Sequence, residues 1–220
     1  MSRWSADVLR IALTPGEIAL ARGTRRHALP AGRDAASLLP ALDEALGDAA
    51  WRAPRVEVVL SQHFVRHVLT PPPGKALPAA EERALVAASL RDIYGDLVQG
   101  WDVRVHSQPP QAGLLGAAIE DAFARALDAL LARRGFRTVA LRPLASVAAL
   151  RAPKRVNGWW VLAEPGWLSL FGGAGGSWQH VAALPVDDGW HAVLPDLVAR
   201  ERGAAAAPLP AAAWLLPIGM

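Results

Sequence analysis

The chain states one strand–turn–strand phrase twice. Residues 8–13 are an apolar run leading into Thr14-Pro15-Gly16, and residues 17–21 lead out of it. Further along, residues 159–163 lead into Glu164-Pro165-Gly166, and residues 167–171 lead out. Proline fixes one backbone angle and glycine permits a positive one, so each phrase predicts a tight hairpin. The echo continues beyond the turns. His27-Ala28-Leu29-Pro30 is matched by Ala183-Leu184-Pro185, and Leu39-Pro40-Ala41-Leu42 by Leu194-Pro195-Asp196-Leu197. The offset is 150 residues at the first pair of prolines and 155 at the other two. Five extra residues in the glycine-rich stretch Gly172 to Gly176 account for the change. One such match is trivial in a chain rich in Pro and Ala, but three in one order predict a duplicated unit.

The remaining periodicities place elements around these hairpins. Residues 25–29 predict a third strand. A helix follows at 38–46, and Ser37 as its N-cap puts Pro40 in the first turn, where a missing N–H costs nothing. The β-branched run at 56–60 is a fourth strand, and 64–69 pairs with it or continues it. Pro71-Pro72-Pro73-Gly74 is a loop. A helix spans 81–94, with Val86, Leu90 and Ile93 on one face. The strict alternation of 101–105 is a strand with one wet face. Leu115, Ile119, Phe123, Leu127 and Leu130 form a helical stripe that stops at Gly135. A strand at 138–141 and a short helix at 143–150 close the first unit. The second repeats three strands, then a helix at 190–202 and a strand at 213–216, and stops there. The expected division is 1–152 for a complete unit and 153–220 for a truncated one.

Composition removes several function classes. There is no cysteine, so disulfide and thiolate chemistry are excluded. The formal charge is +3, yet Lys75 and Lys154 are the only lysines, and the arginines are scattered. No basic stripe interleaved with aromatics appears, which argues against nucleic acid as a partner. Asp7 and Arg10 interrupt what would be the apolar core of a signal peptide. The apolar tail is broken by Pro208, Pro210 and Pro217 and is too short to span a bilayer. The expectation is a cytoplasmic protein, with peripheral association at the inner membrane as the one membrane contact.

Few residues gather into catalytic patterns. His63 and His67 lie four apart on an expected strand, without the Glu of a zinc-protease helix, and read as partly exposed histidines rather than metal ligands. The glycine stretch at 172–176 lacks the Gly-Lys-Ser/Thr ending of a phosphate loop and precedes a strand, so it reads as a flexible hairpin loop. Asp7 and Glu57 do not complete the carboxylate set of a two-metal nuclease. No Gly-x-Ser-x-Gly elbow exists.

Leu9-Arg-Ile-Ala-Leu13 with its turn, Val56-Glu-Val-Val-Leu-Ser61 and Trp160-Val-Leu-Ala-Glu-Pro-Gly166 carry a family resemblance. Three antiparallel strands followed by alternating helices and strands resemble the ribonuclease-H-like fold. Two such units in tandem resemble the actin-like ATPase superfamily. Within it the chain is similar to the type IV pilus assembly protein PilM and the cytoplasmic part of the type II secretion protein GspL. The fold class expected is therefore α/β: duplicated ribonuclease-H-like units of mixed sheet and helices.

In that superfamily each hairpin turn carries an acidic residue and glycine, which organise metal and phosphate. Here Thr14 and Gly16 hold the first vestigial position without a carboxylate at the turn, whereas Glu164 and Gly166 keep one at the second. Each turn proline removes an N–H that would cradle phosphate. The resemblance then implies a non-catalytic scaffold with no cofactor and no metal. Its partner would be an inner-membrane assembly protein bound through a short cytoplasmic segment, with a homodimer as a further option. Two alternatives stay open: an actin-like protein that binds a nucleotide with slow or no hydrolysis, and a small-substrate enzyme with its site between the lobes. Of the nine tryptophans, Trp159, Trp160, Trp167, Trp178 and Trp214 are the candidate interface residues, since Trp is favoured at binding hot spots. Adjacent strand residues face opposite ways, so Trp159 and Trp160 cannot share one core; the alternative is a core with a covered second face.

Overall fold

The computed structural model describes residues 7–149, 157–205 and 208–216, Leu216 through its backbone only. The chain begins with strands β1 (Val8–Thr14), β2 (Glu17–Arg22) and β3 (Arg25–Pro30), helix α1 (Ala35–Ala45) and strand β4 (Arg55–Leu60). A middle segment holds β5 (Arg66–Leu69), α2 (Ala79–Tyr94), β6 (Trp101–His106) and β7 (Leu115–Glu120). Next come α3 (Asp121–Arg133), β8 (Arg137–Pro143) and α4 (Leu144–Ala149). The last stretch is β9 (Gly158–Glu164), β10 (Trp167–Ala174), β11 (Ser177–Pro185), α5 (Trp190–Ala204) and β12 (Ala213–Leu216).

Contacts gather these elements into two units. Residues 7–65 and 120–147 form the first; the described residues of 66–119 and 148–216 form the second. The sequence reading drew one boundary, after residue 152. By contacts the division is discontinuous, because the middle segment 66–119 packs with the second repeat.

In the first unit the sheet order is β3-β2-β1-β4-β8. β1 pairs antiparallel with β2 and parallel with β4, and β4 runs parallel to β8. Alternation does the rest: Leu9, Ile11 and Leu13 of β1 and Val56, Val58 and Leu60 of β4 are buried. Helix α1 buries Leu38 and Leu42, and α3 buries Phe123, Leu127, Leu130 and Leu131. Asp43 of α1 ties the two helices, taking Arg134 Nε at 2.6 Å and Arg133 at 3.3 Å.

The second unit contains a sheet of order β11-β10-β9-β12 and a smaller one of order β5-β7-β6. Both faces of the larger sheet are covered. Trp159, Val161, Leu168 and Leu170 point to one side and pack with Val198 of α5 and Leu209. Trp160, Phe171 and Trp178 share the other side, with Trp160 and Trp178 edge-on at 4.8 Å. Against that face lies β5, whose His67 meets Phe171 at 5.3 Å. The small sheet is backed by α2 through Val86, Leu90, Val68 and Val103.

The duplication holds at the level of single residues. β9 pairs antiparallel with β10 and parallel with β12, as β1 does with β2 and β4. Glu17 lies opposite Pro30, and Trp167 opposite Pro185. The N–H after each of these prolines, of Ala31 and Val186, donates to the turn glycine's carbonyl, at 2.9 Å on Gly16 and 3.2 Å on Gly166. Pro40 and Pro195 are each the sixth residue of their helix. Among the described residues the second sheet has four strands and the first has five.

Four expectations need correction. The run at 64–69, expected to pair with or continue the fourth strand, forms β5 only from Arg66 and pairs with β7 in a separate sheet. Residues 115–120 are strand β7, and the helix starts only at Asp121. Residues four apart share a face in a strand as well as in a helix, so Leu115 and Ile119 fitted both. Gly116 decides for the strand: a Cβ there would lie 2.3 Å from Val86 Cγ1 and 3.0 Å from Val68 Cγ1. Asp34, not Ser37, caps α1, its Oδ1 accepting the Ser37 N–H at 2.9 Å and hydroxyl at 2.6 Å. Pro40 therefore sits inside the helix and forgoes one i→i−4 bond. Finally, Gly172 and Gly173 belong to β10, and only Gly175 and Gly176 form the turn. The five extra residues lengthen the hairpin, two in β10 and three in β11, rather than enlarging a loop.

Candidate functional site

Sheets of this kind bind ligands at the carboxyl ends of their parallel strands. In the first unit that end is set by Thr14 on β1, Ser61 after β4 and Pro143 on β8. The polar groups there are turned on one another. The Thr14 hydroxyl donates to the Glu17 carbonyl at 3.1 Å. Pro15 has no N–H. The Gly16 N–H donates to Gly32 O at 3.3 Å, and the Gly16 carbonyl accepts from Ala31. Gly16 has φ +95, a backbone conformation the turn requires and glycine adopts without strain.

Beside this turn the Ser61 N–H donates to Leu13 O at 2.9 Å, and its hydroxyl oxygen accepts the His63 N–H at 3.1 Å. Gln62 Oε1 accepts from Ala145 N–H at 3.5 Å. Ser61 and Gln62 are buried polar residues. The sequence reading did not single out Gln62; two polar residues directly after an apolar parallel strand were the signal available. Glu57, considered there as a metal carboxylate, instead pairs with Arg10 at 3.2 Å.

In the second unit Glu164 ends β9 and is buried, whereas Pro165 and Gly166 are exposed. Gly166 has φ +76 and accepts the Val186 N–H through its carbonyl. Thr14 and Gly16 thus belong to one unit, Glu164 and Gly166 to the other. Among the described residues no three His, Asp or Glu side chains form a metal-holding group.

The candidate interface tryptophans divide by depth. Trp159 is fully buried and Trp160 is 4% exposed, so neither ring is available to a partner in this structure. Trp167, Trp178 and Trp214 are half-buried. Trp178 is further engaged: its N–H donates to Gln108 Oε1 at 2.7 Å, and its carbonyl accepts from Gln108 Nε2 at 3.2 Å. Trp214 packs over Gly158, where a Cβ would stand 2.4 Å from its ring. His180, edge-on to Trp159, meets Glu201 at 3.0 Å. Burial pushes the Glu201 carboxyl up, but hydrogen bonds from Arg200 and His180 outweigh it and leave it below the ordinary value.

No protein-family model and no curated protein matches the sequence. Solved structures do match. The cytoplasmic domain of EpsL, an inner-membrane component of the type II secretion system of Vibrio cholerae, aligns with TM-score 0.56 at 20% identity. That match covers 97% of this chain and 83% of that one. A Bacteroides thetaiotaomicron protein of actin-like ATPase fold and unknown function aligns at 0.56 and 8% identity, over 92% and 79%. The chain has the actin-like fold. The PilM–PilN type IV pilus biogenesis complex gives 0.57 at 17% identity, over 88% of this chain and 65% of that one. Among the described residues no helix is long and apolar enough to cross a membrane.

An actin-like fold implies a nucleotide, so the fit of the turn residues to phosphate matters. The first turn does not fit. Its Gly16 N–H and Thr14 hydroxyl are spent within the unit, Pro15 offers no donor, and no carboxylate stands at the turn to hold a metal ion.

Proposed function

We propose that this chain is a non-catalytic actin-like scaffold of a type IV pilus or type II secretion-like apparatus, which binds a short cytoplasmic segment of an inner-membrane partner. The observation that carries the reading is the closed first turn, where Pro15 has no N–H and the Gly16 N–H and Thr14 hydroxyl are used within the unit. Likeness to EpsL and to the PilM–PilN complex supports the setting, an assembly apparatus at the inner membrane. The second turn supports a rival: buried Glu164 keeps the carboxylate of a nucleotide-binding hairpin.

Two assays separate them. Steady-state ATPase measurement is expected to give background turnover that Glu164→Ala leaves unchanged. Turnover above background that vanishes in Glu164→Ala would install the rival. For the scaffold itself, the full chain expressed in cells that make the apparatus is expected to sediment with inner-membrane vesicles through a protease-sensitive partner. A chain that never leaves the soluble fraction in such cells contradicts the reading.

A further inference from the structure

The described sheets end on β3 and β8, on β11 and β12, and on β5 and β6. These edges differ in what they can accept. β3 begins Arg25-Arg26-His27 and β8 holds Arg137 and Arg142, and neither strand carries a carboxylate. On β11 the Gln108 side-chain amide takes both the N–H and the C=O of Trp178. β5 and β12 are four residues each. β6 is six residues of strict alternation without proline, Trp101-Asp-Val-Arg-Val-His106, and pairs with β7 and no other described strand. An open strand of this kind is a template for another strand.

The side chains of β6 sort by face. Val103 is buried with Val86 and Leu90 of α2, and Trp101 and Val105 pack against that cluster. Alternation puts Asp102 and Arg104 on the opposite face, where they pair along the strand at 2.9 Å with Arg104 74% exposed. The strand is therefore balanced about Val103, with a carboxylate one residue before it and a guanidinium one residue after. Leu97 at 70% and Ile93 at 60% are the most exposed large apolar side chains among the described residues. Both lie on the helix end and turn that lead into β6.

We propose that β6 pairs antiparallel with β6 of a second copy, about a two-fold axis through Val103. In that register Asp102 of each chain lies opposite Arg104 of the other, and Trp101 lies opposite Val105. Sequence selects this register over its neighbours. A dyad on Asp102 or on Arg104 sets like charges opposite each other, and a dyad between adjacent residues sets core-facing side chains opposite charged ones. The dyad on Val103 also suits either hydrogen-bonding parity. The outward N–H and C=O belong to Val103 or to Asp102 and Arg104, and both sets pair with themselves. The contact along the strand does not oppose the pairing, since an exposed ion pair contributes little and each group gains a second partner across the dyad. The product is a closed dimer whose sheet takes three strands from each copy. It does not rest on the scaffold reading.

Sedimentation velocity of the full chain over a concentration series is expected to show a monomer–dimer equilibrium. Asp102→Arg sets arginine opposite arginine, and Arg104→Asp sets aspartate opposite aspartate. Each is expected to weaken self-association at least about tenfold while the thermal melt is unchanged. Each also loses the contact along the strand, so the deciding measurement is an equimolar mixture of the two variants. There every opposite pair is arginine with aspartate, and the dimer is expected to return. Should either single change unfold the chain, Asp102→Arg combined with Arg104→Asp replaces them. That double variant is expected to pair with itself and to exclude the unaltered chain. A chain that stays monomeric up to about millimolar concentration overturns the proposal. So do single variants that associate as the unaltered chain does, a mixture that fails to restore the dimer, or a double variant that mixes freely with the unaltered chain.

Discussion

On β5 the His67 ring sits edge-on to Phe171, and desolvation pushes its pKa down to about 4. The unfolded chain takes a proton there below about 6.5, and the folded chain does not until about 4. The fold thus keeps the full benefit of a neutral His67 above pH 6.5 and loses it progressively down to pH 4, about 3 kcal/mol in all. Urea denaturation at several pH values should show that slope, and His67→Phe should flatten it. A slope unchanged in the variant would place the acid sensitivity elsewhere. Gly172 makes a second residue-scale case. A Cβ there would lie 2.6 Å from Leu209 Cδ1 and 3.1 Å from Trp159 Cζ3. Glycine-to-alanine changes in strands ordinarily gain from a stiffer unfolded chain, but here the buried ring has no room to give. Gly172→Ala is expected to destabilise by about 1–3 kcal/mol; a stabilised variant would contradict the close packing of Trp159. That contact also explains a misreading. A glycine run looks like a loop in sequence, and nothing in the sequence announces the indole it must pass.

The elements show the same division between what local chemistry writes and what packing decides. Both hairpins were legible because Pro-Gly turns are fixed by backbone sterics within four residues. The strand runs 8–13, 56–60 and 159–163 were legible because they are short and apolar. β7 was not, since its apolar spacing satisfies either period and its identity comes from Val68 and Val86 across Gly116. The exclusion of phosphate at Thr14 was legible in part, through Pro15 and the absent carboxylate. The capture of the Gly16 N–H by Gly32 was not, because it depends on where the chain goes after β3. Gln108 was invisible for a like reason: its amide meets β11 across 70 residues of chain. Gln108→Ala should leave the Trp178 N–H and C=O without these partners, costing about 1–3 kcal/mol. Hydrogen exchange at the Trp178 amide should accelerate more than at β9. Equal acceleration throughout the sheet would mean that the loss is global rather than at the edge.

At the scale of the molecule, two sheets of one strand order have diverged in what closes them. The second is covered on both faces and bonded at Trp178 of β11 by Gln108, with Trp159 and Trp160 buried and Trp167, Trp178 and Trp214 half-buried. The depth of Trp159 and Trp160 was not legible in the sequence, whereas Trp167, Trp178 and Trp214 keep part of their surface for a partner. The first sheet has a hairpin turn whose donors are satisfied internally. The account as a whole stands on that closed turn. Calorimetric titration of the full chain with Mg-ATP tests it most directly. The expected result is no saturable heat up to millimolar nucleotide, corresponding to binding weaker than about −4 kcal/mol. Micromolar binding that is lost in Glu164→Ala would contradict it and make the chain a nucleotide-binding protein.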